Sequence, residues 1–389
     1  MLKLNKLFLN DGHSESFDEK LPPSAEQRRV LVEAKNAIRD RLRERIRAAS
    51  TTVLGMAHMV SPRFRTQGSW AYRTCIQPSH QQEMDWDFGV YLPVAVWADN
   101  GPPAPMARLY FQLVEKALQQ LCTERGWSLI GDKATCVRVK IATWAHIDVP
   151  LYAASEDQFL QVAEKALASA QNSTSFREAA VLSESAEAGE MPEAFWEQME
   201  GIYLACRSGE WRASDPEAVA LWFTDRVADH GEQLRRVCRY VKAWRDHQWP
   251  NGDGPSSVAL MIAVTQTFQF KPRRDDLALE HAASTLVHAL ASNLHEPGID
   301  AGAEDFNRLD ASQRSAASVL ARNLVTRLNG ARSHSYAMRQ GAVDTVRQLF
   351  GQRIPNDVSL IDTDDGADIV RYTPAAAVFA PTVQATKAG

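Results

Sequence analysis

Arg65-Thr66-Gln67-Gly68-Ser69-Trp70-Ala71-Tyr72-Arg73-Thr74, followed after a polar loop by Glu83-Met84-Asp85-Trp86-Asp87-Phe88-Gly89-Val90-Tyr91-Leu92-Pro93, is the stretch that decides how this chain is read. Side chains alternate along a strand, so Asp85 and Asp87 share one face while Trp86 and Phe88 take the other, which suits a core. Two adjacent carboxylates repel unless a positive charge sits between them, and a pair of divalent metals is the usual answer in phosphoryl transfer. The Gly68-Ser69 turn adds a backbone that can approach phosphate oxygens closely, with N–H groups and a hydroxyl as donors.

Working outward, Cys136-Val137-Arg138-Val139-Lys140-Ile141 alternates as a strand, Thr143-Trp144 reads as a turn, and Ala145-His146-Ile147-Asp148-Val149-Pro150-Leu151-Tyr152 alternates again. Ile147, Val149 and Leu151 face inward and Asp148 falls on the polar face. Asp85, Asp87 and Asp148 on adjacent strands can together hold two magnesium ions, one on an attacking hydroxyl and one on a triphosphate. His146 shares the face of Asp148 and is read as a structural hydrogen-bonding partner rather than a general base.

Upstream, Ser24 and Gln27 form a capping box that opens a helix to about Ala49, with Val30, Leu31, Ala34, Ile38, Leu42 and Ile46 at helical spacing. Its many arginines are open to two readings: a solvated face with ion pairs to Glu33, Asp40 and Glu44, or an anion-binding groove. After the break Gly101-Pro102-Pro103-Ala104-Pro105, a helix is expected from about Met106 to Arg125. From Glu156 the pattern is mostly helical. One long helix lies within Trp222 to Trp249, another runs from Val258 to Phe268, and three more fall near 276–294, 311–328 and 334–350. Trp196, Trp211, Trp222, Trp244 and Trp249 are expected to form core between two lobes. Beyond Pro355 the sequence reads as a flexible tail.

A length of 389 residues suggests two domains, and a formal net charge of -5 argues against a long RNA or DNA substrate. Cys75, Cys122, Cys136, Cys206 and Cys238 are odd in number and lack CxxC spacing, which points to neither a zinc site nor a disulfide scaffold. No stretch approaches the roughly 20 apolar residues of a spanning helix, and no leader peptide is recognisable, so a cytoplasmic protein without membrane attachment is expected.

Gln67-Gly68-Ser69, Asp85-x-Asp87 and His146-x-Asp148-Val149-Pro150 resemble the nucleotidyltransferase superfamily that includes poly(A) polymerases, oligoadenylate synthases and cyclic dinucleotide synthases. The segment Arg235-Arg236-Val237-Cys238-Arg239-Tyr240-Val241-Lys242-Ala243-Trp244-Arg245-Asp246, followed by Gly254-Pro255-Ser256-Ser257, strongly resembles the bacterial cGAS/DncV-like nucleotidyltransferases, and among them the DncV-like cyclic GMP-AMP synthase branch. The likeness runs from about Phe64 to Met261. It implies an α+β fold: a polymerase beta-like mixed-sheet catalytic core over 1–175 with a long N-terminal helix, a helical lobe over 176–355, and the tail over 356–389.

By resemblance, Ser69 with the Gly68 backbone would bind the donor triphosphate, and Gln67 is a further substrate-binding residue. Asp85, Asp87 and Asp148 would hold two Mg2+ ions, with Asp148 placed to help deprotonate the attacking hydroxyl. Arg138 would meet the acceptor nucleotide, while Lys242 and Ser256 would reach the donor phosphates. Tyr72 is either a nucleobase neighbour or a core aromatic, and Ser214 begins either a nucleotide-facing helix start or a simple cap. The implied substrates are ATP and GTP, and the implied product is 3′,3′-cyclic GMP-AMP or a related cyclic dinucleotide, a second messenger of bacterial anti-phage defence. A linear oligonucleotide synthase or AMP-transferring enzyme of the same superfamily is the alternative. In related systems a ubiquitin-ligase-like partner acts on the synthase C-terminus, which here would be Gly389.

Overall fold

The computed structural model describes residues 1–10, 16–94, 104–157, 159–160, 196, 199, 201–300 and 304–364. A short strand β1 (Leu2–Lys3) starts the chain. The central sheet is built from β2 (Arg63–Gln67), β3 (Met84–Val94), β4 (Ser128–Ile130), β5 (Cys136–Ala142), β6 (Ala145–Ser155), β7 (Ile202–Ala205) and β8 (Trp211–Ser214). Its order is β2-β3-β6-β5-β4. The β3–β6 pair is parallel and its neighbours are antiparallel, so the sheet is mixed. Where β5 ends opposite Pro150, β7 takes over the same edge of β6, pairing Leu204 with Tyr152, and β8 follows it.

The sheet is half-sided in chemistry, as its alternation requires. Trp86, Phe88, Ile147, Val149 and Leu151 are buried against the helices Ala25–Ala49 and Ala104–Arg125, which supply Leu31, Ile38, Leu42, Tyr110 and Val114. The first of these helices opens with the Ser24–Gln27 capping box, worth about 1 kcal/mol. Its arginines are paired along its surface: Arg29 with Glu26 and Glu33, Arg39 and Arg43 with Asp40, and Arg41 with Glu124 of the neighbouring helix. At these four arginines the ion-paired face is the arrangement adopted, while Arg28 lies over the Trp70 ring and Arg45 donates to Gln120.

A second core gathers the helices Ala218–His230, Glu232–Gln248, Ser257–Thr265, Asp275–Ala289, Ala311–Ser333 and Arg339–Phe350. The long helix expected within Trp222 to Trp249 is Glu232–Gln248, and Gly231 at φ +79° separates it from the preceding helix Ala218–His230. Leu2, Leu4, Leu7, Phe8, Phe17 and Leu21 pack into this helical core and not against the sheet. Conversely, β7 and β8 lie within the region read as helical and extend the sheet; four-residue strands carry too little periodicity to stand out. The five tryptophans do not form one cluster. Trp222, Trp244 and Trp249 belong to the helical core, Trp211 packs on the sheet core, and Trp196 is buried with Tyr91 and Tyr152 in a third group.

Residues 356–364 are ordered against the body of the protein. Strand β9 (Asp362–Thr363) pairs with β1, and Arg274, itself buried with Asp276, reaches Asp364 at 2.7 Å. The rest of the expected tail, with Gly389 and any partner acting there, lies outside the described residues. Among the described residues no helix is long and apolar enough to cross a membrane.

The two cores are joined by buried polar links. Arg65 of β2 forks onto Glu217 at 2.8 Å with both side chains almost wholly enclosed, and Gln82 donates to the carbonyls of Asp246 and Trp249.

Candidate active site

Strand pairing arranges the polar face of the sheet as two rungs. Across one rung the register runs Gln67, Asp87, Asp148, Arg138; across the next, Asp85, His146, Lys140. Asp85, Asp87 and Asp148 thus come together as the alternation requires. The atoms best placed to share a cation, however, belong to Asp85, His146 and Asp148, which offer ligand atoms within 4.8 Å of one another. Asp87 is turned instead toward the chain at Gly68. A Cβ on Gly68 would lie 1.9 Å from Asp87 Oδ2, and its φ of +62° is left-handed, so both space and backbone demand glycine here.

The charge balance around these carboxylates is uneven. Arg138 forks onto Asp148 with Nε and Nη2 at 2.6 and 2.7 Å. His146 lies between Glu83 (Nδ1, 2.9 Å) and Asp85 (Nε2, 3.1 Å), while Lys140 pairs with Glu83. Burial alone would lower the His146 pKa, but the Asp85 carboxylate beside it outweighs burial and the net shift is upward. The Asp87 carboxyl is pushed up to about 7, first by burial and then by the charges of Asp85 and Asp148. A pocket that makes a carboxylate hold its proton to neutral pH is short of positive charge, and its oxygen donors suit a hard divalent cation.

A pH signature follows. Asp87 binds its proton more tightly in the fold than at its ordinary value of 3.8, so its stabilising contribution is full below about 4 and is lost as pH rises through about 7. In EDTA, Asp87→Asn should gain thermal stability relative to the wild type between pH 5 and pH 8. Parallel melting-temperature curves for the two proteins across that range would refute this account of Asp87.

Gln67, Gly68, Tyr72, Asp87 and Asp148 line one cavity of about 300 Å³, closed from the helical side by Pro216, Val219 and Val258. Val219 and Val258 also wall a second cavity of about 760 Å³, whose lining includes Ser214, Asp215 and Ser256. Tyr72 both borders the first cavity and packs edge-on against Phe223, so its two readings are not exclusive. The Gln67 side chain is committed inside the sheet, donating to Tyr91 Oη at 2.8 Å. Ser256 caps its helix by accepting from the Ala259 amide, and at 214–216 it is Asp215, not Ser214, that accepts from the amides of Glu217 and Ala218.

Lys242 lines neither of these two cavities. Its ammonium is buried and donates to the Thr74 carbonyl at 2.7 Å, while Arg235 donates to the Tyr72 carbonyl at 3.1 Å. Together they hold the turn that follows Ser69, whose own carbonyl accepts from the amides of Thr74 and Cys75. Burial brings the Lys242 pKa down to about 8. Lys242→Met strands that carbonyl and should cost about 1–3 kcal/mol in urea unfolding; unchanged stability would show the bond to be dispensable.

Two residues of the site escaped the sequence reading. Glu83 joins Lys140 to His146, and the signal for it was present, since it continues the alternation of Asp85 and Asp87. Glu217 pairs with Arg65 across 152 residues, and no local pattern announces it.

Comparison with known proteins bears on this geometry. Residues 62–152 match the family model described as the DncV-like cyclic GMP-AMP synthase nucleotidyltransferase domain, and residues 231–363 match that of the cyclic GMP-AMP synthase C-terminal domain. The chain is similar to a cyclic GMP-AMP synthase of Vibrio cholerae (40% identity over 213 residues, 53% of this chain and 47% of the relative). It is similar also to one of Escherichia coli (39% over 207 residues, 52% and 46%). These sequence matches thus span about half the length of the curated relatives. Among solved structures, the Vibrio cholerae dinucleotide cyclase DncV in complex with GTP and 5MTHFGLU2 superposes with a TM-score of 0.74 at 26% identity, covering 93% of this chain and 99% of that one. The same organism's cyclic AMP-GMP synthase with the linear intermediate 5′ pppA(3′,5′)pG gives 0.73 at 25%, covering 93% and 98%.

Proposed function

Since the chain belongs to the family of DncV-like nucleotidyltransferases, we propose that it joins ATP and GTP into a cyclic dinucleotide, 3′,3′-cyclic GMP-AMP or a close relative, releasing pyrophosphate at each step. The observation that carries this reading is the contact of Gly68 with Asp87 beside Asp148, on a cavity whose far wall comes from the helical lobe. A backbone without a Cβ next to clustered carboxylates is what a cation-bridged phosphate needs.

Asp85, Asp87 and Asp148, with His146 within reach, would hold two magnesium ions, which when bound supply charge neutralisation on the triphosphate and activation of the attacking hydroxyl. The chain's own residues do the rest. The Gly68 backbone and Ser69 hydroxyl position the donor phosphates, and Asp148 takes part in accepting the proton of the hydroxyl that attacks the α-phosphorus. Tyr72 edges the pocket, and Ser214 and Ser256 line the adjoining cavity, which would accommodate a nucleotide. The linear intermediate, turned round in the same cleft, would present its free hydroxyl for ring closure. The product would serve as a second messenger in bacterial anti-phage defence.

Purified protein incubated with ATP, GTP and Mg2+, treated with phosphatase and analysed by mass spectrometry, tests the reading. A phosphatase-resistant cyclic GMP-AMP is expected. A product that loses its terminal phosphates marks a linear synthase instead, and no nucleotide product at all sinks the proposal.

A further inference from the structure

Asp148 is the one carboxylate of the cluster with a permanent cation fixed to both its oxygens. The pairing is direct across β5 and β6, bidentate, and largely enclosed, with the Arg138 and Asp148 side chains 23% and 12% exposed. A guanidinium does not lose its proton in a protein, so it can vacate a carboxylate only by moving. On the neighbouring rung the counter-charge is placed differently: Lys140 pairs with Glu83 rather than with the three aspartates. Two cations within a few ångströms in a partly enclosed site repel strongly.

We propose that Arg138 is the resident counter-ion of Asp148 and competes with the divalent cation for it, so that the cation binds fully only when the guanidinium has been drawn away. Arg138 is then a positioning residue that couples cation binding to the arrival of an anion. Because coupling is reciprocal, an anion that engages the guanidinium raises cation affinity, and the cation raises affinity for the anion. The inference rests on the reading of these carboxylates as a cation site.

Mn2+ titration of the metal-free full chain, followed by electron paramagnetic resonance without nucleotide, separates the two. Arg138→Gln should tighten Mn2+ binding about tenfold, within the range of ordinary coupling energies. Arg138→Lys, which keeps the charge but loses the fork, should fall between it and the wild type. Lys140→Gln, which removes an equal charge one rung away, should stay within about twofold of the wild type. Equal affinity in wild type and Arg138→Gln, or equal tightening in Lys140→Gln, overturns the inference while the cation site stands. Mn2+ binding that is absent throughout, or that survives Asp85→Asn combined with Asp87→Asn, overturns the cation site and the inference with it. Circular dichroism and melting curves on each variant establish that the folded protein is being compared.

Discussion

Asp85→Asn combined with Asp87→Asn is expected to reduce nucleotidyl transfer at least about a thousandfold, with the fold intact. Metal-ion charge stabilisation is worth several kcal/mol, and each 1.36 kcal/mol is a factor of ten in rate. The substitutions are nearly isosteric, and both side chains stand on the polar face of β3, opposite the packed Trp86 and Phe88, so the core is untouched. Replacing these mutually repelling carboxylates also removes the Asp85 charge that helps push the Asp87 carboxyl up to about 7. Stability should therefore hold or rise while activity collapses. The decisive measurements are single-turnover formation of the first phosphodiester and the melting temperature in EDTA. A double variant retaining more than about a tenth of the wild-type rate would show that these carboxylates do not hold the catalytic cation.

Gly68→Ala should come close to that loss through a single methyl group. The new Cβ would arrive 1.9 Å from Asp87 Oδ2, a separation that forces the carboxylate or the turn to move, and the φ of +62° adds backbone strain of about 1–2 kcal/mol. Misplacing a reacting group by about 1 Å costs on the order of a hundredfold in rate, and here the carboxylate and the phosphate-facing backbone move together. The substitution should thus lower the rate by at least about a hundredfold while costing only about 1–2 kcal/mol of stability. Gly55 and Gly126 also have positive φ but nothing within 4 Å of a Cβ, so alanine there should show the strain without the catalytic loss. If all three variants lose activity alike, the clash with Asp87 is not what matters at Gly68.

Much of this site is written in alternation that any reader of the chain can follow. Asp85, Asp87 and Asp148 fall on one face of two strands, and the register of β3 with β6 then sets Asp87 directly beside Asp148. The capping box at Ser24 and the helix it starts were equally legible, because both depend on residues three or four positions apart. What was not legible depends on distance in the chain. Lys242 looks like any polar helix position until the turn at Thr74 is folded beneath it, and only then does its ammonium have a carbonyl to satisfy. Arg138 and Asp148 are ten residues apart on a hairpin, yet nothing local says that the arginine closes on the aspartate rather than pointing outward. The first twenty residues carry apolar side chains that could pack on either lobe. Their choice is fixed by Asn5 and Leu4 bonding to Asp275 and Asp276, some 270 positions away.

The buried links between the lobes have a consequence for how the cleft is used. Arg65 grips Glu217, Gln82 reaches the carbonyls of Asp246 and Trp249, and Lys242 and Arg235 hold the turn behind Ser69 from the opposite lobe. Swinging the lobes apart as a jaw would break these bonds together, those of Arg65, Lys242 and Arg235 charge-assisted, at several kcal/mol in all. Such a cleft works as a gauge: its width is set by the fold before any ligand arrives, and what fits between Val219, Val258 and the carboxylates is decided by calibre rather than by closure.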